Sequence, residues 1–97
     1  MKTIYKYTIP KHVLNGASHA IYIPRDAIPR HVECQKAEGH VSLWAEVETH
    51  RPEIYRQAWL IGTGYDKDSQ FIPASAIYVG TAIDEYELVY HVYMEQG

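Results

Sequence analysis

Apolar and polar positions alternate along this chain in short runs broken by Pro and Gly, a pattern that predicts strands rather than helices. Residues 3–9 carry Tyr5, Tyr7 and Ile9 on one face, and Pro10, which has no N–H for a ladder, ends the run. After a loop holding the turn dipeptide Asn15-Gly16, residues 18–23 form a second strand stopped by Pro24, and residues 25–29 read as a connector. Residues 31–36 and 41–48 both alternate around Glu38-Gly39, which suits a two-residue hairpin turn. That register sets Cys34 against Leu43 and Val32 against Ala45 on an apolar face. The polar face then pairs Gln35 with Ser42, Glu33 with Trp44 and His31 with Glu46.

A fifth strand over residues 54–61 runs into Gly62-Thr63-Gly64, and a polar, turn-like stretch follows over residues 65–70. Phe71-Ile72-Pro73 is expected to tuck under the domain as an apolar plug. Two strands, residues 76–83 and 88–94, close the chain through a short loop near Asp84-Glu85-Tyr86. In the last of them nearly every side chain is apolar or aromatic, so it is expected to lie centrally, covered on both faces, with His91 opposite Gly80. The pattern contains no amphipathic helix and no repeat. About seven short strands predict an all-β fold, a small antiparallel sandwich or partly open barrel. Residues 1–97 make a single β domain, long enough to bury roughly 60–65% of the surface of its unfolded chain.

Composition narrows the function classes. The net charge is −3 and the nine Lys and Arg are scattered, so direct nucleic-acid binding is disfavoured. Cys34 is the single cysteine and excludes an internal disulfide; with no apolar leader after Met1 and no membrane-length apolar run, the expected setting is cytoplasmic, without membrane association. Nine tyrosines and two tryptophans against one phenylalanine favour surfaces that are part buried and part wet.

No motif announces a chemistry. Gly62-Thr63-Gly64 could offer main-chain N–H groups to a phosphate, but neither a P-loop Lys nor a following helix pattern accompanies it. Asp66 and Asp68 lack the glycine and distal Glu of a calcium loop. The six histidines show no paired ligand spacing, and His91 in its apolar strand reads as a core histidine held by a hydrogen bond. His31 and Glu46 form an ordinary cross-strand pair, and Cys34 suits packing better than nucleophilic attack. No catalytic residue, metal ligand or cofactor is therefore assigned.

Five motifs occur in order: Ile4-Tyr5-Lys6-Tyr7, Leu43-Trp44-Ala45 with Val47, Ile61-Gly62-Thr63-Gly64, Tyr78-Val79-Gly80-Thr81 and Val89-Tyr90-His91-Val92-Tyr93. Together they resemble a family of small uncharacterised proteins encoded by bacteriophages and prophages, across essentially the whole chain. The chain departs from it in a charged middle hairpin and in Tyr65, where a histidine is expected to follow the glycine run. The resemblance implies a phage protein acting in the host cytoplasm by stoichiometric, non-catalytic binding. The first expectation is an inhibitor of a host protein or defence complex, anchored by Trp44 and Tyr55, with His31 nearby and with Glu33, Glu46 and Glu48 supplying acidic complementarity. The alternative is an oligomeric sponge for a nucleotide-like ligand held near Gly62, Thr63, Gly64 and Tyr65, with Arg25, Arg30, Arg51 and Arg56 converging on its phosphate. A small hydrolase and a minor virion component rank below these. Edge-strand protection points to a homodimer.

Overall fold

Alternation along β4 (His40–Glu48) sets the architecture. Val41, Leu43, Ala45 and Val47 on one side are all at most 1% exposed, while Trp44, Glu46 and Glu48 stand on the other. The computed structural model describes residues 1–35 and 39–97. β4 is the middle strand of a three-stranded antiparallel sheet, between β1 (Lys2–Pro10) and β3 (Ile28–Glu33). The second sheet takes β2 (His19–Pro24), β5 (Glu53–Ile61), β7 (Val89–Met94) and β6 (Ile77–Ile83) in that spatial order, also antiparallel. Short 3-10 turns at Lys11–Val13 and Lys67–Gln70 complete the regular elements, with no α-helix among the described residues.

The two sheets face each other as an open sandwich. Ile9, Val32, Leu43 and Val47 from the first meet Ile21, Leu60, Val92 and Met94 from the second. Each such side chain, fully buried, contributes about 1.5–3 kcal/mol of transfer free energy. The all-β sandwich of seven strands is the expected architecture.

Each sheet contains one irregularity, and the two lie on the strands that pack across the sandwich, β3 and β6. In β3 the register shifts between Pro29 and His31, which turns Val32 inward against Leu43. In β6 it shifts between Tyr78 and Gly80. A Cβ on Gly80 would sit 2.9 Å from Val32 Cγ2, so glycine here permits the close approach of the two sheets.

Two polar side chains tie off the ends. Asp84 accepts the N–H groups of Tyr86 (2.9 Å) and Leu88 (3.0 Å) and the Tyr90 hydroxyl (3.0 Å), and Lys11 lies 3.5 Å away. Burial pushes the Asp84 carboxyl up, but the donated hydrogen bonds and the Lys11 charge outweigh it and leave it below the usual carboxylate range. Arg56 is 2% exposed; its Nε donates to Glu95 O (2.9 Å) and its Nη1 to Ala27 O (2.8 Å), clamping the chain after β7 to the turn before β3. Burial lowers its pKa.

Several local expectations are corrected. β3 begins at Ile28, inside the stretch expected to be a connector. The β3–β4 pairing sets Val32 against Leu43, Glu33 against Ser42 and His31 against Trp44, two residues from the expected register. Because the shift is even, the same side chains face the core; the expected Glu38-Gly39 turn lies partly outside the described residues. β7 buries one face only, Tyr90, Val92 and Met94, and leaves Val89, His91 and Tyr93 half-buried. His91 pairs with Thr81, not Gly80, because of the shift in β6. Of the proposed plug only Ile72 is buried; Phe71, at a left-handed φ of 56°, is 88% exposed.

Candidate functional site

The residues singled out in the sequence fall on three separate surfaces. Trp44, Glu46, Glu33 and His31 share the outer face of the three-stranded sheet. There Lys6, Trp44 and His31 form one cross-strand row, and Ile4, Glu46 and Ile28 the next. Lys6 Nζ lies 5.8 Å from the Trp44 ring centroid on one side, and the His31 ring 5.7 Å away on the other. Ile4 is 51% and Ile28 44% exposed, so three large apolar side chains are presented on one sheet face. The shift in β3 puts Ile28 and His31 on the same side although they are three apart in sequence.

The carboxylates of this face are already engaged. Glu46 lies 3.3 Å from Arg30, Glu33 3.8 Å from His31, and Glu48 3.3 Å from His50 Nδ1 and 3.6 Å from the Met1 ammonium. These surface contacts, of which the two to histidine are ionic only with a protonated imidazole, are worth about 0–1 kcal/mol each, so exchanging one for a partner's charge costs little.

Tyr55 lies elsewhere, on the outer face of the four-stranded sheet, with its ring 4.7 Å from that of Tyr22. It does not join Trp44 in a common surface.

Gly62, Thr63, Gly64 and Tyr65 form the third surface. They make a turn closed by the Tyr65 N–H donating to Gly62 O (3.1 Å), and Gly64 at φ +82° sits in the left-handed region that favours glycine. Asn15 Oδ1 accepts the Gly62 N–H at 2.7 Å and fixes where the turn leaves β5. This turn borders a cleft of about 330 Å³ that is also lined by Lys67, Tyr78, His91 and Tyr93.

A chain of hydrogen bonds runs across the cleft. Thr63 Oγ1 is 2.7 Å from His91 Nε2, Thr81 Oγ1 is 2.9 Å from His91 Nδ1, and the Tyr78 hydroxyl meets Thr81 Oγ1. Tyr78 packs edge-on to Tyr93 at 5.6 Å, and Lys67 Nζ sits 4.4 Å over the Tyr93 ring. Sequence reasoning found the turn but not Lys67, Tyr78, Thr81 or Tyr93. Its one available signal was His91, a polar residue in an otherwise apolar run.

The geometry limits the chemistry. Thr63 and His91 have the spacing of a nucleophile and its base. However, the far nitrogen of His91 faces a threonine hydroxyl, so no carboxylate stabilises an imidazolium formed by proton uptake. Both ring nitrogens are occupied by hydroxyls, so neither is presented to a metal ion. No group of three or more His, Cys, Asp or Glu among the described residues is gathered to hold one. Cys34 packs against the core, and burial raises its thiol pKa, which disfavours the reactive thiolate. None of the four arginines lines this cleft: Arg56 is buried, Arg30 pairs with Glu46, and Arg25 and Arg51 line another depression, where Arg51 lies 3.0 Å from Asp26. No helix among the described residues is long and apolar enough to cross a membrane.

No curated protein and no solved structure shows significant similarity to the chain. A family model, the domain of unknown function DUF7352, matches residues 1–97, and the chain belongs to that family.

Proposed function

We propose that this protein acts by stoichiometric, non-catalytic binding of another protein, with the outer face of the three-stranded sheet as the contact surface. The observation that carries the reading is Trp44 in the centre of that face, flanked by Lys6 and His31, with Ile4 and Ile28 exposed beside it. An aromatic anchor amid apolar neighbours and a rim of exchangeable ion pairs is the make-up of a protein-binding hot spot. The ordered motifs that resemble small phage-encoded proteins support a host protein or defence complex as the partner, and inhibition as the outcome.

The test is affinity capture with the tagged full chain from bacterial host cells, read by native mass spectrometry. A host protein held in fixed stoichiometry is expected, and the double variant Trp44→Ala/Glu46→Arg is expected to lose it by about thirtyfold or more, the scale of a hot-spot truncation. Capture undiminished by the double variant removes this face from the account. A second copy of the chain as the sole captured species replaces the host protein by a homodimer.

A further inference from the structure

The cleft beside β5 combines features that the Trp44 face lacks. It is concave, with a volume of about 330 Å³, at the lower end of the range for small-molecule sites. Among the described residues no carboxylate lines it. Asp66, next in sequence to Tyr65, uses its carboxylate to accept the Asp68 N–H at 3.0 Å.

We propose that this cleft binds a small molecule that joins a planar aromatic ring to an anionic group, a phosphate or a carboxylate. The cation is Lys67. Among the described residues it has no carboxylate at ion-pair distance, and its ammonium rests over Tyr93 instead. A cation held only by the face of a half-buried ring is readily drawn to an incoming anion. The Thr63 and Gly64 N–H groups in the middle of the turn make no hydrogen bond to the described residues, whereas Gly62 and Tyr65 donate theirs to Asn15 and Gly62. A Cβ added at Gly64 would meet nothing within 4 Å, so the main chain is open to close approach there.

The ring is supplied with partners by Tyr65 and Tyr78, 46% and 56% exposed on the rim of the same cleft. His91 and its two threonines add specificity. Each hydroxyl both donates and accepts, so the chain from Thr63 to Tyr78 can present either a proton or a lone pair to a polar edge of the ligand.

The experiment is two-dimensional ¹H–¹⁵N NMR titration of the full chain with adenosine monophosphate and with indoleacetate. Adenosine and inorganic phosphate serve as the separate halves. Saturable shifts centred on Thr63, Gly64, Thr81 and His91 are expected with a ring-plus-anion probe. Lys67→Gln is expected to weaken that binding about tenfold while sparing adenosine, and Tyr78→Ala to weaken both. Response to adenosine monophosphate alone marks a nucleotide-type ligand, response to indoleacetate alone an aromatic acid, and either supports the site. The inference is overturned if neither probe gives saturable shifts at about 10 mM, if the shifts centre elsewhere, or if a folded Lys67→Gln chain binds as well as wild type.

Discussion

The two outer faces of the sandwich sit on sheets that share one core, yet they differ in chemistry. On the three-stranded sheet the outward positions make a row of Lys6, Trp44 and His31 beside exposed Ile4 and Ile28, with charges paired at the surface. On the four-stranded sheet the outward positions of β7 and β6 join the 62–65 turn in a concave, hydroxyl-rich cleft. An apolar face with surface charge pairs is the kind proposed above for a protein partner, and a concavity with converging polar groups the kind proposed for a small ligand. The difference teaches that the five ordered motifs divide between core and surface. Leu43, Ala45, Val47 and Gly80 set the core, whereas Trp44, Thr63, Thr81 and His91 stand outside it.

The sharpest way to break the comparison is to disturb the contact that both faces depend on. Gly80→Ala places a methyl 2.9 Å from Val32 Cγ2, and the expected cost is about 1–3 kcal/mol in denaturant unfolding. Adding Val32→Ala to it is expected to return part of that loss, and no coupling in the double-mutant cycle contradicts a steric origin.

The same junction explains what the sequence made legible. Strand number and type were readable because Pro10, Pro24 and the glycine-rich turns punctuate clean alternation. The shifts in β3 and β6 were not, since an extra residue in a strand leaves composition and local periodicity almost unchanged. They put Ile28 with His31, and Tyr78 with Thr81, on common faces that simple alternation separates. For the same reason simple alternation sets His91 against Gly80 rather than Thr81. The cleft was half legible: the 62–65 turn was visible, but Thr63 and His91 are 28 residues apart and meet only through the pairing of β5 with β7. The sequence does not separate Tyr55 from Trp44, because nothing local in the chain says which sheet a strand joins.

A pH scan sharpens the account of the ends that hold both sheets. Burial, then the Asp84 hydrogen bond, raises the Tyr90 phenol from 10.0 to about 12, and burial with the Glu53 charge does the same for Tyr7. Folded values above the unfolded one mean that this stabilisation is complete below about pH 10 and declines as pH rises towards 12. Asp84 has the opposite sign: its folded value is depressed, so its contribution is present above about pH 4 and is lost as pH falls further. Asp84→Asn is expected to flatten the acid limb of a stability profile, and an unchanged acid limb counts against its role as the β6–β7 tie.

The smaller effect concerns the cleft alone. Thr81→Val removes the partner of His91 Nδ1 and of the Tyr78 hydroxyl, at an expected cost of about 0.5–1.5 kcal/mol. Chemical-shift changes are expected at Thr63 and His91 and not at Trp44; changes spreading to Trp44 indicate that the faces are coupled.

The central claim, that the Trp44 face is the protein-binding surface and acts separately from the cleft, is tested most directly by measuring the affinity of the captured partner for two folded variants side by side. The account predicts that Trp44→Ala/Glu46→Arg loses the partner and that Lys67→Gln holds it at wild-type affinity. Retention by the first variant, or loss by the second, contradicts it.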